Sequence, residues 1–470
     1  MRPDPIPFLC ALTCLWSSVA LATPDPFDTE AMLQQGVPCA QAMPDGALNL
    51  LNIVNLALCN NPQTREVWAA ARVQAAQVGV SRASYLPSPS LTASENRSRV
   101  NAAPSVYQRN IGLNISYLLY DFGARAANLE NARHLLEAAI ATQDSTVQAV
   151  FLQAVQFFYQ TQSTQASLVA ATEAERAAKE SFAAAQARYV NGSATPADKL
   201  QAQTAYSQAT LNRIGAEGSM KNARGALANM LGLDANREVL LVAGTVVELD
   251  KGYVAQEQRL KIFGRDVAAL IEEARLKRPD LYAATAALKA AQANLDAVRA
   301  AGMPSVYLSA STNQSNSAGQ VSRGTSTGVT LNVPIFSGFA PTYRIRAAQA
   351  QAETKSAQLE RLRLQVSLDV WTAYQNLTTA TQSLRSSADL QDSATQSEQV
   401  ALGRYKAGVG SMLDVLNAQS ALANARQQRI QATFNWNIGR AQLAQAMGGL
   451  DTELLQELPG STPNSKPSIK

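Results

Sequence analysis

Histidine is all but missing from this chain of 470 residues: His134 is the only one, so histidine-rich metal sites are excluded. Cysteine is nearly as scarce, and two of the four cysteines, Cys10 and Cys14, precede residue 15. Aromatic residues make up only 6% although hydrophobic residues reach 46%, because Ala and Gln fill long tracts where a compact enzyme would place Phe, Leu and Ile. Charge of one sign is also lacking: 40 Lys and Arg against 36 Asp and Glu leave +4, so no nucleic-acid-binding surface is announced. There is no Gly-x-x-x-x-Gly-Lys loop, no Gly-x-Ser-x-Gly elbow and no cysteine cluster for zinc, so no enzyme, cofactor or metal site is expected. His134 lies in a helical tract and reads as a packed or solvated residue.

What is present begins with an address. An apolar run from Ile6 to Leu21 follows Arg2, and Ala20 and Ala22 supply the small residues of a cleavage site, which predicts a signal peptide over residues 1–22. A retained anchor is the weaker reading, since the run is barely long enough to cross a bilayer. Beyond it no run of about 18 apolar residues occurs, so the exported chain is expected either to be soluble or to span a membrane as strands. Export leaves Cys39 and Cys59 as the only pair in an oxidising compartment, where a disulfide is the default. Its loop of about 20 residues would stabilise the fold by roughly 3 kcal/mol.

Self-comparison reveals a duplication. Pro62 and Pro87 recur as Pro279 and Pro304 at a shift of 217, while Tyr189, Gly192, Asp198 and Gln203 recur as Tyr405, Gly408, Asp414 and Gln419 at a shift of 216. The chain therefore divides into an N-terminal extension (23–46), repeat 1 (47–232), a linker segment (233–264), repeat 2 (265–449) and a C-terminal tail (450–470). Each repeat reads as helix, strand pair, long helix and return helix. From Ala124 to Val190 there is neither proline nor glycine, about 100 Å of helix at 1.5 Å per residue. A second tract, with Gly403 as its single glycine, runs from Tyr343 to Ala407, where Leu359, Leu362, Val366, Val370, Ala373, Leu377, Ala380 and Leu384 form an apolar stripe at spacings of three and four. Turns are expected at Gly192 and Gly408, with return helices from about Pro196 and Met412.

Between the helices, Ile111, Leu113, Ile115, Tyr117 and Leu119 alternate with small or polar residues, as do Val329, Leu331, Val333 and Ile335. Their partners are expected at about 89–100 and 305–314, joined by polar loops from Asn101 to Arg109 and from Ser315 to Arg323. Four strands of about ten residues suit a membrane, yet the smallest membrane barrels need about eight, and open edges are not tolerated in hydrocarbon. Several copies must then pool strands. Two soluble hairpins covering a helical core are the alternative. Tyr85, Tyr117, Tyr120, Phe122, Phe336 and Phe339, gathered at the helix-facing strand ends, favour the membrane as an interfacial girdle.

With its leader, its duplicated element order, and Arg404-Tyr405-Lys406-Ala407-Gly408 followed by Asp414-Val415-Leu416-Asn417-Ala418-Gln419, the chain resembles the TolC-type outer-membrane efflux proteins over about residues 45–450. Within them it looks most like the type I secretion branch. The resemblance implies a mainly α fold with membrane β: a homotrimer whose 12-stranded β-barrel, four strands per chain, sits among outer-membrane lipid and continues into a periplasmic α-helical barrel. It implies a passive conduit for an exported polypeptide, with an inner-membrane ABC transporter and a periplasmic adaptor (membrane fusion) protein as partners and the adaptor docking at Gly192 and Gly408. A multidrug or metal efflux duct is the alternative, and an extracellular coiled-coil adhesin or scaffold the alternative of another class.

The resemblance also implies a gate at the periplasmic tip. Tyr405 and Asp198 match positions that link the coils, and Asp414 matches an acidic ring; Gly410 stands where a latching arginine is found and Asn417 where a second aspartate is found. A gate with fewer links should open more readily. Three copies of Asp414 at a constriction would favour cations. The plainer alternative is that Asp198 and Asp414 only complement the dipoles of the return helices, worth about 0.3 to 1 kcal/mol.

Overall fold

The structure is a computed structural model that describes residues 25–33, 46–99, 105–242, 266–317 and 319–450. Two series of elements follow one another with matched lengths. The first is α1 (Leu50–Asn60), α2 (Pro62–Ala83), β1 (Ser88–Ser98), β2 (Val106–Tyr120), α3 (Ala124–Val190) and α4 (Pro196–Met230). The second is α5 (Val267–Lys277), α6 (Pro279–Ala300), β3 (Ser305–Ser317), β4 (Gln320–Asn332), α7 (Ala340–Lys406) and α8 (Met412–Ala446). Both long helices have 67 residues and both return helices 35. None of the described helices is long and apolar enough to cross a membrane. The chain packs as two units, to both of which α3 and α7 contribute.

One unit carries the sheet, with strand order β1-β2-β3-β4 and every neighbour antiparallel. Residues opposite one another in register share a face. The row Leu91, Leu113, Thr312, Thr325 and the row Pro89, Ile115, Ala310, Thr327 therefore lie on one side with Tyr117, Leu308 and Val329. On the other side stand Ser90, Asn114, Ser311, Ser326 and then Thr92, Gly112, Asn313, Gly324. One face is apolar and the other small and polar, and Leu91, Leu113, Val329 and Leu331 are all exposed within the single chain.

The strands depart from the expected pattern at three places. Pairing of β3 with β4 continues to Ser317 opposite Gln320, so the polar stretch from Ser315 to Arg323 is mostly strand rather than loop. Its Ser, Asn and Gln residues fit a sheet with one hydrophilic face, and Gly319 at φ +86° serves the tight turn. Likewise, β2 already includes Tyr107 to Arg109. Finally, a bulge between Leu118 and Tyr120 sets Tyr120 opposite Val306, so strict alternation misplaces Leu119.

Where strand gives way to helix, the backbone turns through Phe122 (φ 53°) and Gly123, and through Gly338 and Phe339 (φ 61°). A left-handed Phe costs about 1–2 kcal/mol. The first corner is held by Asp121, whose carboxylate accepts from the Arg125 amide at 2.8 Å and from Arg125 Nε at 3.1 Å, while the guanidinium covers the Tyr85 ring at 4.9 Å. Tyr120 meets Phe122 edge-on at 4.8 Å, and Phe336 meets Phe339 at 5.5 Å. These aromatics are exposed, with Ile335 94% accessible beside them. In the same unit a 3₁₀ turn, Glu30–Met32, lies along α2 through Arg72–Glu30 at 2.8 Å, and Met32 and Leu33 join the Ala75, Val78, Ala132 and Leu136 cluster.

The other unit is helical. Its core gathers Ile53, Val54 and Ala57 of α1, Val150, Ala154 and Phe158 of α3, Leu227 and Ala228 of α4, and Ala441 of α8. Each larger side chain contributes about 1.5–3 kcal/mol by leaving water. Val239 and Leu241 belong to this core: Val239 is buried, and a bridge of Leu48 with Leu241 is made by Leu48 N–H donating to the Leu240 carbonyl at 2.8 Å. Residues 243–264, the rest of the expected linker segment, lie outside the described residues. Cys59 is disulfide-bonded; Cys39, its expected partner, lies outside the described residues, as do the expected leader and the tail beyond Leu450.

Return helices end on glycines related by the repeat. Gly232 (φ +74°) and Gly448 (φ +77°) each cap a helix whose end abuts the short helix of its own repeat. A β-carbon at Gly232 would stand 2.7 Å from the Asn60 carbonyl oxygen, and one at Gly448 would stand 3.0 Å from the Lys277 carbonyl carbon. Nearby, the buried Arg278 donates to Asp280 at 2.6 Å and to Asp369 at 2.9 Å. Burial opposes its charge, but both carboxylates outweigh that and raise its pKa further.

Candidate functional site

The second unit presents two helix-turn-helix tips, α3 to α4 and α7 to α8. Both turns use a left-handed glycine, Gly192 and Gly408, at φ +73° and +81°. After each turn a capping box opens the return helix. Thr195 Oγ1 accepts from the Asp198 amide at 3.3 Å while Asp198 Oδ2 accepts from the Thr195 amide at 3.0 Å; Ser411 and Asp414 repeat this at 3.1 and 3.2 Å. Both aspartates thus have a structural duty. Asp414 remains exposed, and its carboxyl lies below the usual carboxylate range because the Ser411 hydroxyl and amide donate to it, with Arg404 adding positive charge. Asn417, one helical turn on, is also exposed.

Between the tips, Ala185 of α3, Ala202 of α4, Tyr405 of α7 and Met412 and Val415 of α8 form a small apolar core flanked by Phe182 and Leu416. Ser181 and Gln419 cap it with a hydrogen bond of 3.0 Å. Alanines at the contact let the helices approach, and the 3.5-residue spacing from Val366 through Val370, Ala373, Leu377, Ala380, Leu384 and Ser387 buries one seam of α7 in the manner of a coiled coil. The joint closes on Arg188. Its Nη2 donates to the Tyr405 carbonyl at 2.8 Å and more weakly to that of Lys406 at 3.4 Å, and its guanidinium lies over the Tyr405 ring, 4.2 Å from the centroid. The Tyr405 ring is buried and its hydroxyl has no partner among the described residues.

Of the residues expected to form a gate, the structure therefore joins Tyr405 to the facing tip, through Arg188. Asp198 is bonded within its own turn, and Asp414 and Asn417 share an exposed stretch of α8. Arg188 was missed by motif reading, yet the signal existed: carrying the 216-residue shift one position back aligns it with Arg404. Gly410 packs tightly, since a β-carbon there would stand 3.0 Å from Arg404 Cβ and 3.1 Å from the Tyr405 amide nitrogen. A side chain at that position would require Arg404 and Tyr405 to give by a few tenths of an ångström.

The sequence profile of the outer membrane efflux protein family matches residues 53–233 and 270–449, one stretch in each repeat. Protein CyaE of Bordetella pertussis is 33% identical over 422 residues, covering 87% of this chain and 86% of CyaE. Outer membrane protein TolC of Vibrio cholerae is 25% identical over 416 residues, covering 87% of this chain and 92% of TolC. Among solved structures, CusC superposes with a TM-score of 0.74 at 21% identity, covering 88% of this chain and 98% of that one.

Proposed function

The chain belongs to the outer membrane efflux protein family, and from that premise we propose that it is the outer-membrane conduit of a type I secretion system, working as a homotrimer. Its place in the outer membrane, in a transport or secretion channel, follows from the family, and family and fold are those of channel proteins. The observation that carries the trimeric pore is the sheet. A four-stranded sheet with one apolar and one hydrophilic face has open backbone on β1 and β4, which hydrocarbon does not tolerate. Three copies pool twelve strands into a closed barrel, apolar side to lipid and the Ser, Asn and Gly side to the lumen. From Ile111 to Tyr120 the apolar face extends over about 30 Å of strand, which after a tilt of 35–45° approaches the band of about 25 Å seen in such barrels.

In this reading the helices form a periplasmic tunnel, the tips of α3–α4 and α7–α8 close it, and repeat borders at 47–232 and 265–449 mark the two quasi-equivalent halves. The Arg188–Tyr405 joint holds the tips together within each chain, and three Asp414 carboxylates face the constriction. The sequence has no Gly-x-x-x-x-Gly-Lys nucleotide loop, and in this reading an inner-membrane ABC transporter and a periplasmic adaptor drive polypeptide through the tunnel, with the adaptor on the turns at Gly192 and Gly408. The secretion branch is supported by the resemblance to CyaE along nearly the whole mature chain. A multidrug or metal efflux duct is the second reading, favoured by the wider family's efflux members. Deletion of the gene, followed by assays of polypeptide toxin release and drug susceptibility, separates the two. Loss of release with unchanged susceptibility is expected; the reverse would move the chain to the efflux reading. A protein that leaves the membrane fraction without detergent and runs as a monomer when unheated would remove the pore altogether.

A further inference from the structure

We propose that Arg404 of one copy seats on Tyr189 of the next, repeating between chains the joint that Arg188 and Tyr405 make within one. The proposal rests on the trimeric reading above. Its starting point is that the two tips are related by a shift of 216 residues, so each carries an arginine followed by a tyrosine at the end of its long helix: Arg188-Tyr189 on α3 and Arg404-Tyr405 on α7. Within one chain only one arginine and one tyrosine of these four are used against each other. Arg188 reaches the Tyr405 ring and its carbonyl. The other two, Tyr189 and Arg404, do not meet each other within the chain and are both exposed, Tyr189 by 40% where Tyr405 is exposed by 6%, while Arg404 lends positive charge to Asp414 of its own tip.

That contact has a direction: one tip gives its arginine and the facing tip gives its tyrosine. A head-to-tail contact of this kind leaves an unused donor on one side and an unused acceptor on the other, and it closes into a ring when copies are related by rotation. Tip α7–α8 then gives Arg404 to the next copy's α3–α4 tip. The guanidinium would lie over the Tyr189 ring and donate to the Tyr189 carbonyl, as Arg188 does at Tyr405. The chemistry at the receiving tyrosine differs in one respect. Lys199 already stands 5.3 Å from the Tyr189 centroid, whereas Val415 holds the corresponding position beside Tyr405. Two cations at one ring make the joint between copies the weaker of the two, so the tips should part first between chains.

Photo-crosslinking of the full-length protein in its own membrane tests this. With para-benzoylphenylalanine at position 189, irradiation should give adducts of dimer and trimer mass, mapped by mass spectrometry to the peptide around position 404. A second measurement uses Arg404→Ala, Tyr189→Ala and the double variant in single-channel recording of the purified trimer. Each single change should raise conductance several-fold, and the double no further than the larger single. An intact trimer whose adducts lie only within the chain, or whose double variant multiplies the two single effects, would overturn the joint and leave the conduit standing. A chain that is monomeric in the membrane would instead overturn the conduit on which the joint depends.

Discussion

Replacing Arg188 by Ala removes the charged connection nearest the two turns of a chain, a second one, Arg426 to Glu173 at 3.1 Å, joining α8 to α3 farther along, and the structure sets its scale. A guanidinium 4.2 Å from the centre of a buried ring contributes about 1–2 kcal/mol. Its 2.8 Å bond to the Tyr405 carbonyl is charge-assisted, worth about 1.5–3 kcal/mol, whereas the 3.4 Å bond adds little. Both depend on one half-buried side chain, so the terms overlap, and about 2–3 kcal/mol per chain is the reasonable total. That corresponds to a roughly 30- to 150-fold shift toward parted tips. Single-channel recording of the purified trimer reads this as higher conductance or longer open times. Arg188→Lys keeps a cation over the ring but loses the planar fork, so its effect should be intermediate. Arg188→Ala trimers of normal heat stability that stay as closed as the parent would refute the assignment of the joint.

Three other outcomes follow from the same coordinates. Asp414→Asn should reduce cation selectivity measured as reversal potential. Because the Asp414 pKa is depressed, the parent channel should keep its selectivity as pH falls through the ordinary carboxylate range and lose it only below, together with the capping contribution of the ionised group. Leu113→Arg should impair membrane assembly by about 2–4 kcal/mol, seen as loss of heat-resistant trimer, whereas Asn114→Arg, one residue along on the hydrophilic face, should leave assembly intact and change conductance. Gly232→Ala should destabilise by about 2–4 kcal/mol in thermal or denaturant unfolding, from a left-handed backbone and a β-carbon 2.7 Å from the Asn60 carbonyl; Gly215→Ala, at a helical position with open space, should be neutral or slightly stabilising.

How far such features can be read from the chain alone depends on whether they are written locally. Helix lengths were legible because proline and glycine punctuate them: α3 occupies the stretch between Gly123 and Gly192, and the apolar stripe on α7 is the seam that is buried. The full length of the strands was not, since the Ser, Asn and Gln of residues 315–323 read as loop until pairing carries β3 and β4 on to Ser317 opposite Gln320. A bulge moves Tyr120 in place of Leu119 onto the apolar side, and no single-strand periodicity encodes that. At the tips, Tyr405 could be marked by a motif. Its partner Arg188 lies 217 residues away and is joined to it only by packing, so only the duplication pointed there.

Two separate shortages in this chain point to one remedy. In the unit that carries the sheet, β1 and β4 end in unpaired backbone, a deficit that a membrane makes severe because no water is available to satisfy it. In the helical unit, one arginine–tyrosine pair is made while Tyr189 and Arg404 are left at opposite ends of the series. If copies associate head to tail, an even number of strands per chain keeps neighbours antiparallel across each junction, and the directional arginine–tyrosine contact can likewise repeat from copy to copy. A point change at either place should therefore be felt between copies, in assembly for the sheet and in conductance for the tips. Leu113→Arg and Arg404→Ala differ in kind, since only the first removes the solvent match of the sheet, and trimer heat stability compared with conductance tells the two apart.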